Sequence, residues 1–124
     1  MSSLNKNQIF QIKDSQVEKV DVPEWGEGAY VYIRQMSAGA RDRFETAALR
    51  SRLNDDPSKA DTKGLRSLMV MLTVCDEHGV LLFDHRKDGA ELEKKSATAL
   101  DRIVQRAQDF NGMSPQSVEQ EVKN

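Results

Sequence analysis

Apolar residues recur along this chain at two spacings, and each spacing predicts a different element. Between Val17 and Met36 the spacing is two. Val17-Glu18-Lys19-Val20-Asp21-Val22 alternates weakly and stops at Pro23, which lacks the N–H that a central strand needs. Ala29-Tyr30-Val31-Tyr32-Ile33-Arg34-Gln35-Met36 is dense in β-branched and aromatic residues and is the clearest strand of the chain. Gly26 and Gly28 lie between the two runs and suit a turn with positive φ. A small antiparallel hairpin is expected here.

Beyond Ser37 the spacing becomes three to four. Ser37 is a good N-cap for a helix from about Ala38 to Asn54, with Ala40, Phe44, Ala47, Ala48 and Leu53 as its apolar stripe. Asp55-Asp56-Pro57-Ser58 ends it. A second helix, from about Lys59 to Cys75, places Leu65, Leu68, Met69, Leu72 and Cys75 on one face. Val70, Met71 and Val74 fill much of the rest, which predicts a central helix buried nearly all round. The late β-branched residues leave a buried strand over Met69–Cys75 as the competing reading. Ser96 caps a last strong helix, in which Leu100, Ile103, Val104, Ala107 and Phe110 form a clean stripe and Gly112 provides the stop.

The remaining segments are weaker. Asp76-Glu77-His78-Gly79 is a turn, and Val80-Leu81-Leu82-Phe83 reads as a short buried strand that could pair with residues just before it. Asp84–Lys95 starts as loop and becomes a short helix near Ala90–Glu93. Ile9-Phe10-Gln11-Ile12 reads as a short strand or a docking arm. Ser114-Pro115 opens a final short segment, nearly all polar, whose apolar anchors are Val118 and Val122. The expected fold is α+β, a mostly helical single domain with a small antiparallel β-hairpin near the N-terminus. Residues 17–112 form the globular part, 1–16 a loose arm, and 113–124 a polar, flexible segment.

Composition narrows the functional classes. The 124 residues are 38% hydrophobic and 31% charged, a polar globular balance. Eighteen basic and 20 acidic side chains are interleaved to a net charge of −2, with no basic field for nucleic acid. The single cysteine, Cys75, lies in an apolar run and cannot form an internal disulfide. The N-terminus has no apolar signal core, and the longest apolar run is far below the ~20 residues of a membrane span. The expectation is a cytoplasmic protein with no membrane and no nucleic-acid partner.

The search for chemistry yields no catalytic, cofactor-binding or metal-binding residues. Cys75, His78 and His85 straddle a turn without the convergent spacing of a zinc site, and read as a buried thiol with two solvated histidines. Ser37, Ser96 and Ser114 stand where helix caps belong, and no Gly-x-Ser-x-Gly elbow occurs. Asp55-Asp56 and Asp76-Glu77 lie in turns, where acids serve local hydrogen bonds. The glycines are scattered singly, so no phosphate-binding loop is present.

Features suited to protein contact remain. Trp25, Tyr30 and Tyr32, with Arg34 alongside, are the residue types that anchor protein interfaces. Tyr30 and Tyr32 project from one face of the strand, Val31 and Ile33 from the other. Both faces therefore carry apolar bulk, and one needs a cover. The arginines Arg41, Arg43, Arg50 and Arg52 are interleaved with Asp42 and Glu45, as on an ordinary solvated helix face. The candidate contact residues are Trp25, Tyr30, Tyr32, Arg34, Val118 and Val122.

The order of several pieces along the chain carries a resemblance. Val-Pro-Glu-Trp-Gly (22–26) is followed by Val-Tyr-Ile-Arg-Gln-Met-Ser (31–37) and Arg-Asp-Arg-Phe-Glu (41–45). Val74-Cys75-Asp76-Glu77-His78-Gly79-Val80-Leu81-Leu82-Phe83, Lys95-Ser96-Ala97 through Leu100, and Phe110-Asn111-Gly112-Met113-Ser114 come next. With the acidic close from Val118 to Lys123-Asn124, this resembles the tail assembly chaperones of long-tailed, lambda-like phages from about Val17 onward. The resemblance implies a non-enzymatic protein that binds the tape measure protein, keeps it soluble, helps recruit major tail protein, and self-associates weakly. It also implies a host-cytoplasmic protein absent from the mature virion, and a short form of a pair made by translational frameshifting. A structural component, such as a head–tail joining or tail completion protein, is the alternative.

Overall fold

The computed structural model describes residues 2–52 and 64–113. Helix α1 (Lys6–Gln11) precedes strand β1 (Val17–Asp21), a 3-10 turn (Pro23–Trp25) and strand β2 (Tyr30–Arg34). Helices α2 (Ala38–Arg52) and α3 (Leu65–Thr73) follow, then strand β3 (Val74–Cys75), helix α4 (Gly89–Leu92) and helix α5 (Ala97–Phe110). This is the expected α+β fold, mostly helical, with a small antiparallel sheet.

The hairpin forms in the register Val17↔Arg34 to Asp21↔Tyr30. Its connection uses Pro23 at the start of the 3-10 turn and Gly26 and Gly28 at φ 142° and 77°, values that exclude most side chains. Direct cross-strand partners share a face. Val20, Val31 and Ile33 thus point toward the helices, and Lys19, Tyr30 and Tyr32 point away from them. Ile33 is fully buried and Val20 nearly so, while Val31 packs on the core more loosely.

The sheet has one strand more than expected. Helix α3 ends at Thr73, and Val74 caps it while already extended, with its N–H on the carbonyl of Val70. Val74 and Cys75 then pair antiparallel to β2, opposite Ile33 and Tyr32. The helical and extended readings of Met69–Cys75 both hold, in succession. The stripe of α3 carries it into the core, and the β-branched Val74 marks the changeover. Thr73, fully buried, satisfies its hydroxyl on the carbonyl of Met69 at 2.7 Å.

Three sequence expectations need correction. The segment around Ile9 is a helix, not a strand, because Asn5 and Gln8 exchange the reciprocal hydrogen bonds of a capping box, each at 2.9 Å. Val80–Phe83 is not a buried strand. A single bridge joins Leu81 to Cys75, and Val80 and Leu82 are 61% and 56% exposed. Period-two alternation turns Leu81 toward the sheet and its neighbours outward. The α3 helix also starts later than Lys59: Gly64, at φ 87°, precedes it. Residues 59–63, like Leu53 and Asn54 of the preceding helix, lie outside the described residues.

Ser37 and Ser96 cap as expected, accepting from the N–H groups of Ala40 at 3.2 Å and Ala99 at 3.3 Å. The stop at Gly112 is a complete Schellman motif. Gly112 has φ 67°, its N–H reaches the carbonyl of Asp109 at 3.1 Å, and the Met113 N–H reaches that of Gln108 at 2.7 Å. The core lies where α3 and α5 pack on the inner sheet face. Met69, Val70, Val74, Ala99, Leu100, Ile103 and Ala107 fill it, and α2 leans on α3 from the other side through Phe44.

Candidate protein-contact site

Three pairs of polar residues hold the hairpin in place and thereby position its aromatic side chains. Arg102 on α5 makes a forked pair with Glu24 in the 3-10 turn, at 2.6 and 2.9 Å to one oxygen. One turn further along α5, Arg106 reaches Glu18 on β1 at 2.7 Å. Arg102 holds the Glu24 carboxyl below its ordinary range, and Glu24 in turn raises the guanidinium. At the other end of the hairpin, the Asn111 side chain accepts the Met36 N–H at 2.7 Å and donates to the carbonyl of Ala107 at 2.8 Å. Arg41 adds a bond to the Asn111 carbonyl at 3.0 Å. Both ion pairs are screened by solvent, so orientation is their main effect.

With the hairpin so fixed, Trp25 and the tyrosines occupy different surfaces. Trp25 is 39% exposed and forms one wall of an open groove of about 630 Å³, with Leu82, Phe83 and Leu92 as its apolar lining. Asp88, Glu91 and Lys95 complete its rim. Tyr30 and Tyr32 stand on the outer sheet face, edge to face with ring centres 5.6 Å apart. The Lys19 ammonium lies 4.3 Å from the centre of the Tyr30 ring, an additional attraction. The neighbouring Tyr30 pushes the Tyr32 hydroxyl pKa up, with burial adding to the shift.

Arg34 shares the outer face with Tyr30 and Tyr32 but is half-buried. It donates to the carbonyl of Gly79 at 2.8 Å, so it fastens the Asp76–Gly79 turn to the sheet. That turn is built on Asp76, whose carboxylate accepts the N–H groups of His78 at 2.8 Å and Val80 at 3.0 Å. Those backbone bonds, Val80 first, lower the Asp76 pKa. Val118 and Val122 lie outside the described residues. Leu82 and Phe83 escaped the sequence reading because a short apolar run suggests burial; the exposed half of its alternation was the available signal.

The chemistry-bearing residues remain apart. Cys75 is buried, and burial raises its thiol pKa, which opposes thiolate formation. His78 is exposed and lies 3.4 Å from Glu77, an oxygen of its immediate neighbour. No group of three potential metal ligands occurs among the described residues. Among these residues, no helix is long and apolar enough to cross a membrane.

A braced hairpin beside an open apolar groove is the kind of surface that suits contact with another protein. A family model described as "Phage tail assembly chaperone" matches residues 4–123, and the chain belongs to that family. The fold is similar to the solved structure of the bacteriophage HK97 tail assembly chaperone, with a TM-score of 0.58 and 20% identity, covering 84% of this chain and 90% of that one. No curated protein matches the sequence.

Proposed function

We propose that this chain binds the tape measure protein during phage tail assembly, keeps it soluble and helps to bring major tail protein to it, without catalysing a reaction. It would act in the host cytoplasm as a weak homo-oligomer and leave before the particle is complete. The observation that carries this reading is the apolar groove of Trp25, Leu82, Phe83 and Leu92, open to solvent on a family member. A groove of this kind suits the apolar stripe of a helix, and a long helical client presents many such stripes to several weakly bound copies. The outer-face tyrosines and the tail anchors Val118 and Val122 extend the contact surface. Arg34 supports it through Gly79. In this organisation residues 17–112 are the globular domain, and 1–16 and 113–124 are extensions that dock.

Co-expression with the tape measure protein from the same genome tests this directly. The client is expected in the soluble fraction and in the purified complex only when the chain is present. A client equally soluble alone, with no co-purification, sinks the proposal. Recovery of the chain at fixed copy number in purified particles would favour a structural component instead.

A further inference from the structure

Helix α1 is fully capped, yet the fold places nothing beneath it. None of its residues is buried; Phe10 is 77% exposed, and Leu4, Ile9 and Ile12 are 52%, 53% and 48% exposed. Six residues are too few to keep a helix populated in water on backbone hydrogen bonds alone. A cluster of large apolar side chains in an arm this short calls for a partner surface. Its tether is brief as well. The Ser15 hydroxyl donates to the Gln35 carbonyl at 2.7 Å, and Gln35 and Gln16 pair through their backbones at 3.0 Å. Only Ile12–Asp14 separates α1 from this anchor, a reach of about 10 Å.

The same chain carries an apolar surface of matching chemistry. The groove of Trp25, Leu82, Phe83 and Leu92 is rimmed by Asp88, Glu91 and Lys95, with Lys94 lying 3.4 Å from the Glu91 carboxylate. The arm carries Lys6 and Lys13 against the single acid Asp14. Lys6 precedes Ile9 and Phe10 by three and four residues, so it shares their helix face. An apolar arm with a lysine on its helix face therefore meets an apolar groove whose rim presents the carboxylates of Asp88 and Glu91.

We propose that the groove of one copy receives helix α1 of a second copy. Ile9 and Phe10 lie against Trp25, Leu82, Phe83 and Leu92, and Lys6 faces Asp88 and Glu91. The inference rests on the reading of the groove as a protein-docking surface, which the arm of a second copy occupies until a client helix displaces it. Arm and groove are different patches: reciprocal exchange closes an isologous dimer, and one-way, heterologous insertion propagates a chain of copies.

Sedimentation of the full-length protein over a wide concentration range tests this, with Phe10→Asp in the arm and Leu82→Asp in the groove. Both positions are exposed, and circular dichroism checks that the fold is unchanged. The unsubstituted protein is expected to associate, and each variant to do so at least tenfold more weakly. An equimolar mixture of the two variants should regain association, because F10D retains a groove and L82D retains an arm. A protein monomeric at every concentration overturns the proposal. So does association untouched by Phe10→Asp, or a mixture no better than its components. Co-expression of the unsubstituted protein with the tape measure protein separates the two readings. Client retained by a protein that stays monomeric rejects the arm contact alone, and client lost from a self-associating protein rejects the chaperone reading.

Discussion

Helices α1 and α5 begin alike and end in opposite situations. Asn5 caps the first and Ser96 the second, each accepting the N–H three residues on. Helix α5 buries Ala99, Leu100, Ile103 and Ala107, whereas α1 buries nothing. Capping thus specifies where a helix starts, and the apolar stripe specifies what it rests on. A sequence can encode the first instruction without its own fold answering the second.

The sharpest way to break this contrast is to remove one apolar side chain from each helix. Ile103 is fully buried between α3 and the sheet. Ile103→Ala is expected to cost about 2–5 kcal/mol in urea unfolding. Phe10→Ala, measured on dilute monomer, should stay within about 0.5 kcal/mol of the parent. Equal losses would mean that α1 packs on its own body.

Removing the caps sharpens the comparison at a smaller scale. Ser96→Ala should lower global stability by about 0.5–2 kcal/mol, because the rest of the fold depends on α5. Asn5→Ala should leave the unfolding transition in place and speed amide exchange only within 6–12, since a frayed α1 exposes no core. A shift of the global transition by Asn5→Ala would contradict this.

The smallest effect concerns pH. Asp76 and Glu24 both titrate below their ordinary values in the folded protein, Asp76 mainly through the Val80 N–H and Glu24 mainly through Arg102. A depressed carboxyl stabilises the fold above its unfolded pKa and loses that contribution as pH falls through the folded one. Acid unfolding should therefore steepen below the ordinary Asp value of 3.8, and Asp76→Asn should flatten that limb while α1 stays indifferent. An unchanged acid limb in Asp76→Asn would assign the effect elsewhere.

How far these regions could be read from sequence follows from the range of their interactions. The hairpin, the caps at Ser37 and Ser96 and the Gly112 stop were legible because each is written within a few consecutive residues. Strand β3 was half legible: Val74 signals extension, but only β2, some forty positions earlier, supplies its partner. The arginine clamps Arg102–Glu24 and Arg106–Glu18 were invisible, because charges on a polar helix face do not indicate which distant acid they meet. Of the candidate contact residues, Trp25 and Tyr30 are exposed, whereas Arg34, on the same outer face as Tyr30, is covered by the Asp76–Gly79 turn. Alternation reports which face a side chain takes, not whether a neighbouring turn will cover it.

The Asn111 latch has a bearing on timing. Its side chain closes on the Met36 N–H across 75 residues of sequence. At 5–20 residues per second of synthesis, roughly 4–15 s separate the appearance of these two partners at the ribosome. Throughout that interval the hairpin lacks both its latch and its α5 clamps, and Ile33 lacks the helix that covers it. The nascent chain therefore completes its body late, after the arm and hairpin have emerged, and its first encounters are made with apolar surface still uncovered.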